Sequence, residues 1–235
     1  VYEGNPLMDA IAERCAAMPP REEFFRANGF GARPVIALLA GSRRSEVRNN
    51  LPFMAALAEL MPEYDFVLAA VPWLDRELYG ELLAGSRIIC LYDKTYEIVR
   101  YADAAVVTSG TATLETALIG TPEVVCYRTD ALTVWAGRRL LKIPYISLVN
   151  LVMGREVVKE LIQQEMTPER AAEELRAILP GGGQRERMLA DYDALRKRIG
   201  GPGASERVAA RMVALLKGEK APRPTEREQE NGGAK

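Results

Sequence analysis

Apolar residues along this chain come in short unbroken runs, and the stretches between them repeat with helical period. Val35 to Leu39 (VIALL) is the clearest such run. Phe66 to Val71, Arg87 to Leu91, Ala104 to Thr108 and Glu123 to Tyr127 follow, with a last short strand expected near Tyr145 to Leu148. Continuous runs of this length suit strands covered on both faces, as in parallel sheets. Helical patterns over about 44–61, 75–84, 94–101, 111–119 and 131–142 separate them, and two short helices, about 7–17 and 20–28, lead in. Strands alternating with helices mean βαβ units. The expected fold is α/β, a Rossmann-like doubly wound parallel sheet.

The end of the chain changes character. Three helical patterns, about 168–179, 184–199 and 205–217, are separated by Pro180-Gly181-Gly182-Gly183 and Gly200-Gly201-Pro202-Gly203. From Gly218 onward there are no core formers, and that tail is expected to be disordered. The reading is a Rossmann-like domain over 1–180, additional helices over 181–217 and a tail over 218–235. The chain opens on Val1 without a Met, which reads as part of a longer protein.

Two strand-to-helix turns carry the candidate chemistry. Ala40 to Val47 (AGSRRSEV) follows the first strand, and Ser109 to Glu115 (SGTATLE) follows the fourth. Turns of Gly, Ser and Thr leave N–H groups bare at a helix start, where anions are held. Gly41 lets the backbone turn and approach a ligand, Ser42 can cap the helix, and Arg43 can fork onto phosphate oxygens. In the second turn Ser109, Thr111 and Thr113 supply hydroxyls, and Gly110 permits the bend. Glu115, one turn in, can accept both hydroxyls of a ribose. Capped helices with solvated charges would use the same residues. The position of the second turn at the carboxyl end of a strand favours a ligand. There is no G-x-G-x-x-G and no Gly-Lys-Ser/Thr, so neither a dinucleotide fingerprint nor a P-loop is present.

Composition narrows the chemistry. The net charge is -1, from 31 basic and 32 acidic residues, which argues against nucleic acid as a partner. The absence of histidine removes Ser-His-Asp and Cys-His centres and His-bearing zinc sites from this chain. Cys15, Cys90 and Cys126 read as reduced thiols of a cytoplasmic protein. No apolar run approaches the ~18 residues of a membrane-spanning helix.

Two further stretches have a plain reading beside a functional one. Asn150, Arg155 and Glu156 lie in a charged run, Asn150 to Glu160, that by spacing alone reads as a solvated helix face rather than a pocket wall. In 131–143, Trp135 stands beside Arg138, Arg139 and Lys142. That flank suits a membrane surface of acidic headgroups, or a core helix with snorkelling cations.

The ordered set L-L-A-G-S-R, S-G-T-A-T-L-E, Y-R, W-A-x-R-x-L and Y-I-S-L-x-N-L-x-x-G-R-E-V-V-K-E-L resembles the C-terminal half of the lipid-A-disaccharide synthase family, GT-B glycosyltransferases of outer-membrane biogenesis. The resemblance runs from about Tyr2 to Leu216. It implies transfer of 2,3-diacylglucosamine from UDP to 2,3-diacylglucosamine 1-phosphate, with inversion and without a metal or cofactor, by a cytoplasmic enzyme peripheral to the inner membrane. Carried over, Gly41, Ser42 and Arg43 would grip the diphosphate. Ser109, Gly110, Thr111 and Glu115 would hold phosphate and ribose, and Asn150, Arg155 and Glu156 would complete the donor pocket. The turn Leu91-Tyr92-Asp93 would meet uracil through its backbone. The acceptor site and the base belong to the family's N-terminal half, so this half is expected to bind UDP and turn nothing over. Exchange of C-terminal helices in a dimer is implied as well. The alternatives are another UDP-sugar transferase, a UDP-GlcNAc epimerase, or a non-catalytic UDP-binding module.

Overall fold

A computed structural model describes residues 2–128 and 145–217. Two helices, α1 (Leu7–Ala16) and α2 (Arg21–Ala27), precede the first strand. The alternating part runs β1 (Val35–Leu39), α3 (Arg44–Leu60), β2 (Asp65–Ala70), α4 (Arg76–Leu83), β3 (Ile89–Tyr92), α5 (Thr95–Tyr101), β4 (Ala104–Thr108), α6 (Thr111–Ile119) and β5 (Glu123–Tyr127). Then follow α7 (Leu148–Met153), β6 (Lys159–Ile162), α8 (Pro168–Ile178), α9 (Arg185–Ile199) and α10 (Ala204–Leu216).

All strand pairs are parallel, in the order β3-β2-β1-β4-β5-β6. This is the doubly wound, Rossmann-like arrangement expected. The chain leaves β1 toward β2 and β3, then returns to lay β4 on the other side of β1. That reversal opens a crevice above the carboxyl ends of β1 and β4. Helices α3, α4 and α8 pack together on one face of the sheet and α1, α5 and α6 on the other. Ile36, Ala37 and Leu38 are fully buried between these layers. Sealing an aliphatic side chain of this size contributes about 1.5–3 kcal/mol.

One expectation is corrected. The sixth strand is not Tyr145 to Leu148 but Lys159–Ile162, registered on β5 from Val124↔Lys159 to Tyr127↔Ile162. Residues 146 and 147 bend into the next helix, and their amides find a side-chain partner: the Glu160 carboxylate accepts from the N–H groups of Ile146 and Ser147 at 2.9–3.2 Å. Ser147 then caps α7, its Oγ accepting from the Asn150 N–H at 3.2 Å. The helix ends at Gly154 in the left-handed region.

The Cys15, Cys90 and Cys126 thiols are free, with Cys90 in β3 and Cys126 in β5. Glu123, at the start of β5, is sealed from solvent, and burial pushes its carboxyl well above the usual range. Helix α10 docks on α1. Asp9 accepts from the backbone N–H groups of Gly203 and Ser205, capping the start of α10, and bonds led by that from the Ser205 side chain hold its carboxyl at about 2. The outer face of α10 leaves Met212, Val213, Leu215 and Leu216 exposed. The helix expected over 131–142, with Trp135 and its cations, and the tail from Gly218 lie outside the described residues. Among the described residues no helix is long and apolar enough to cross a membrane.

Candidate functional site

A cavity of about 560 Å³ opens above the carboxyl ends of β1, β2 and β4. Gly41, Ser42, Arg43 and Glu46 form one wall, and Ser109, Gly110, Thr111 and Glu115 another. Asp93, Tyr96, Arg14 and Trp73 close the perimeter. Arg43 and Glu115, which start from different strands, thus face one space.

The first turn is tightly determined. Gly41 has φ +110°, and a Cβ there would lie 2.6 Å from the Glu46 side chain. Arg43 precedes the first residue of α3 in extended conformation. One oxygen of the Glu46 carboxylate accepts from the backbone N–H of Ser42 (2.9 Å) and of Arg43 (3.2 Å), and the other meets the Arg43 guanidinium at 3.1 Å. The turn therefore already holds an anion, and the anion is its own. The Arg43 side chain remains 80% exposed.

The second turn is differently built. Gly110 has an extended backbone, φ 162°, and a Cβ on it would meet nothing within 4 Å. The bend does not require glycine; the missing side chain leaves the start of α6 uncovered. The Ser109 hydroxyl donates to the Ile146 carbonyl at 3.0 Å, and the Thr113 hydroxyl turns inward to the Gly110 carbonyl at 2.8 Å. Thr111 is exposed at the first helical position. Glu115 accepts from the Tyr96 hydroxyl at 2.8 Å, and the Arg14 guanidinium lies 5.0 Å from the Tyr96 ring centre. Burial and then the Glu115 bond raise the Tyr96 phenol, keeping it a donor.

Asn50 joins the two turns from below. It is buried on α3, and its Nδ2 donates to the Ala40 carbonyl (3.2 Å) and to the Thr108 hydroxyl (2.9 Å). The spacing signal was present: Asn50 falls among Val47, Leu51 and Met54 on the apolar face of α3, where an amide needs a purpose. Arg14, Trp73 and Tyr96 were missed because α1, the end of β2 and α5 reach the cavity only through the tertiary fold.

The remaining expected residues are not brought to this cavity. The Tyr92 ring packs edge-on against Tyr79 (5.8 Å) and beneath Arg76 (4.4 Å); burial first, then the Cys90 bond, lift its phenol to about 12. The next residue, Asp93, lines the cavity with φ +55°, a conformation that Asp tolerates. Asn150 is fully buried. Its Oδ1 accepts from Val157 and Val158, and its Nδ2 donates to Val158 and Glu160. Arg155 forks onto Asp191 of α9 at 2.6 and 2.8 Å. Glu156 sits near Lys159 (3.6 Å) at a separate, strongly charged groove of about 290 Å³.

Comparison with known proteins agrees with this architecture. The chain is 40% identical over 221 residues to lipid-A-disaccharide synthase of Myxococcus xanthus, and 40% identical over 228 residues to that of Syntrophus aciditrophicus. Each alignment covers 92% of this chain but 57% of the relative, so the chain spans little more than half the length of these relatives. A crystal structure of UDP-GlcNAc 2-epimerase from Neisseria meningitidis bound to UDP-GlcNAc superposes with a TM-score of 0.57 at 17% identity, covering 92% of this chain and 54% of that one, a likeness of fold. The model of the lipid-A-disaccharide synthetase family matches residues 1–210. With two glycine-bearing helix starts at one rim and a family match along nearly the whole described chain, this protein belongs to the lipid-A-disaccharide synthetase family.

Proposed function

We propose that this chain is the donor-binding half of a glycosyltransferase and holds a UDP-sugar across the cavity. The observation that carries this reading is that Arg43 and Glu115 open onto one space. In this reading the start of α6 and the Arg43 guanidinium take the diphosphate. The Glu115 carboxylate takes the ribose hydroxyls, and the backbone at Asp93 meets the base.

The reaction is transfer of 2,3-diacylglucosamine from UDP to 2,3-diacylglucosamine 1-phosphate. The acceptor 6-hydroxyl attacks C1 of the donor sugar from the face opposite the diphosphate, and the C1–O bond to UDP breaks with inversion. Negative charge then builds on the departing diphosphate, where Arg43 and helix amides stabilise it without a metal. The hydroxyl proton goes to a base outside this half. Asn150 acts through others: it braces the segment whose Ile146 carbonyl receives the Ser109 hydroxyl. Substrates carrying acyl chains put the reaction at the cytoplasmic face of the inner membrane. The apolar outer face of α10 packs on the rest of a full-length enzyme or on a second copy.

Calorimetric titration tests this. The 235-residue chain binds UDP, Arg43→Ala and Glu115→Ala each weaken binding, and the chain alone forms no disaccharide. UDP binding indifferent to both substitutions would overturn the assignment of the cavity, and disaccharide synthesis by this chain would overturn its role as half an enzyme.

A further inference from the structure

Among the described residues, one large exposed hydrophobic side chain lines the cavity: Trp73, with 67% of its surface accessible. Its indole is not loose. The Nε1–H donates to the Ser42 carbonyl at 3.0 Å, tying the ring by its edge to the first turn, and Pro72 stiffens the backbone just before it. An indole held by its edge keeps its π face for another flat group.

Its place in the sheet says which group. Trp73 follows β2, and β2 pairs with β3 so that Ala70 stands opposite Tyr92. Trp73 and Asp93 therefore leave adjacent strand ends and flank one stretch of rim, on the side of the cavity away from β4. Both phosphate-holding turns spring from β1 and β4, so the far end of a nucleotide lies beside Trp73 and Asp93. We infer that Trp73 is a stacking platform for the nucleobase, and so a binding residue for the nucleotide half of the donor. This rests on the reading of the cavity as a nucleoside diphosphate site.

The test separates base from phosphates. UDP and inorganic pyrophosphate are titrated into the full chain and into Trp73→Ala, Trp73→Phe and Arg43→Ala. Base–aromatic stacking implies that Trp73→Ala weakens UDP by about five- to a hundredfold. Pyrophosphate affinity stays within about twofold, and Trp73→Phe keeps most of the UDP affinity because any aromatic ring can stack. Arg43→Ala weakens both ligands. Equal losses of UDP and pyrophosphate in Trp73→Ala would mean that the indole acts only by holding Ser42, and would overturn the platform. Unchanged UDP affinity in that variant would also overturn it. Failure of the wild-type chain to bind UDP would instead remove the reading of the cavity, and the platform with it.

Discussion

The turns after β1 and β4 occupy equivalent places in one sheet, yet they are made on different principles. The first is closed on itself: Gly41 in a positive-φ conformation, Glu46 pressed against it, and two amides and a guanidinium all bonded to that carboxylate. The second is open: Gly110 is extended with free space beside it, and Thr111 stands exposed at the helix start. In the proposed reading, one anion site would combine a preformed, internally neutralised turn with an uncovered helix terminus.

The sharpest way to break this contrast is to remove the cation. Arg43→Ala should weaken UDP by about 10- to 100-fold, the range of a lost charge-assisted bond, and calorimetry reads it directly. If Glu115→Ala costs more, the open turn and not the closed one dominates binding. Next in size is the backbone. Gly41→Ala should cost about 2–3 kcal/mol of stability in denaturant unfolding, from forced positive φ plus the clash with Glu46. Gly110→Ala should stay within about 0.5 kcal/mol; similar losses at the two glycines would erase the distinction. Asn50→Ala comes third, at about 1–3 kcal/mol, because it strips partners from the Ala40 carbonyl and the Thr108 hydroxyl. The smallest effect sharpens the comparison most. Glu46→Gln keeps an acceptor in the closed turn but removes its charge, so UDP should bind about two- to fivefold tighter. Weaker binding would mean that the carboxylate organises the turn more than it competes for it.

These same residues mark how far the sequence could be read. Strands β1, β4 and β5 stand out as unbroken apolar runs because both faces of a parallel sheet are covered, and the turns after β1 and β4 announce themselves by Gly, Ser and Thr. Lys159–Ile162 was hidden because half its residues are charged; Glu160 is there to receive the N–H groups of Ile146 and Ser147, a need created 13 residues away. The Tyr145–Leu148 stretch reads as a strand from its aromatic and branched apolar residues, but residues 146 and 147 bend into a helix and their amides go to the Glu160 side chain rather than a ladder. On spacing alone Asn150, Arg155 and Glu156 read as a solvated charged face, and a place in the donor pocket is implied only by the resemblance. In the fold they brace a loop, fork onto a neighbouring helix and border a separate groove, and no spacing rule distinguishes these fates. Trp73 and Arg14 are invisible in the sequence for the opposite reason: nothing local marks a lone aromatic or cation whose neighbours come from other strands.

If the cavity holds a nucleoside diphosphate as proposed, Asn50 has a consequence for how it is met. Because one amide nitrogen grips a carbonyl of the first turn and a hydroxyl at the base of the second, the gauge between the two anchor points is set when α3 folds, not when a ligand arrives. A molecule whose charged linkage fits that gauge loses little to reorganising its host, while one that is shorter or longer must stretch a buried bond to be held at both ends. In the proposed reading the amide would thus work as a ruler, selecting for length before any contact with base or sugar is made.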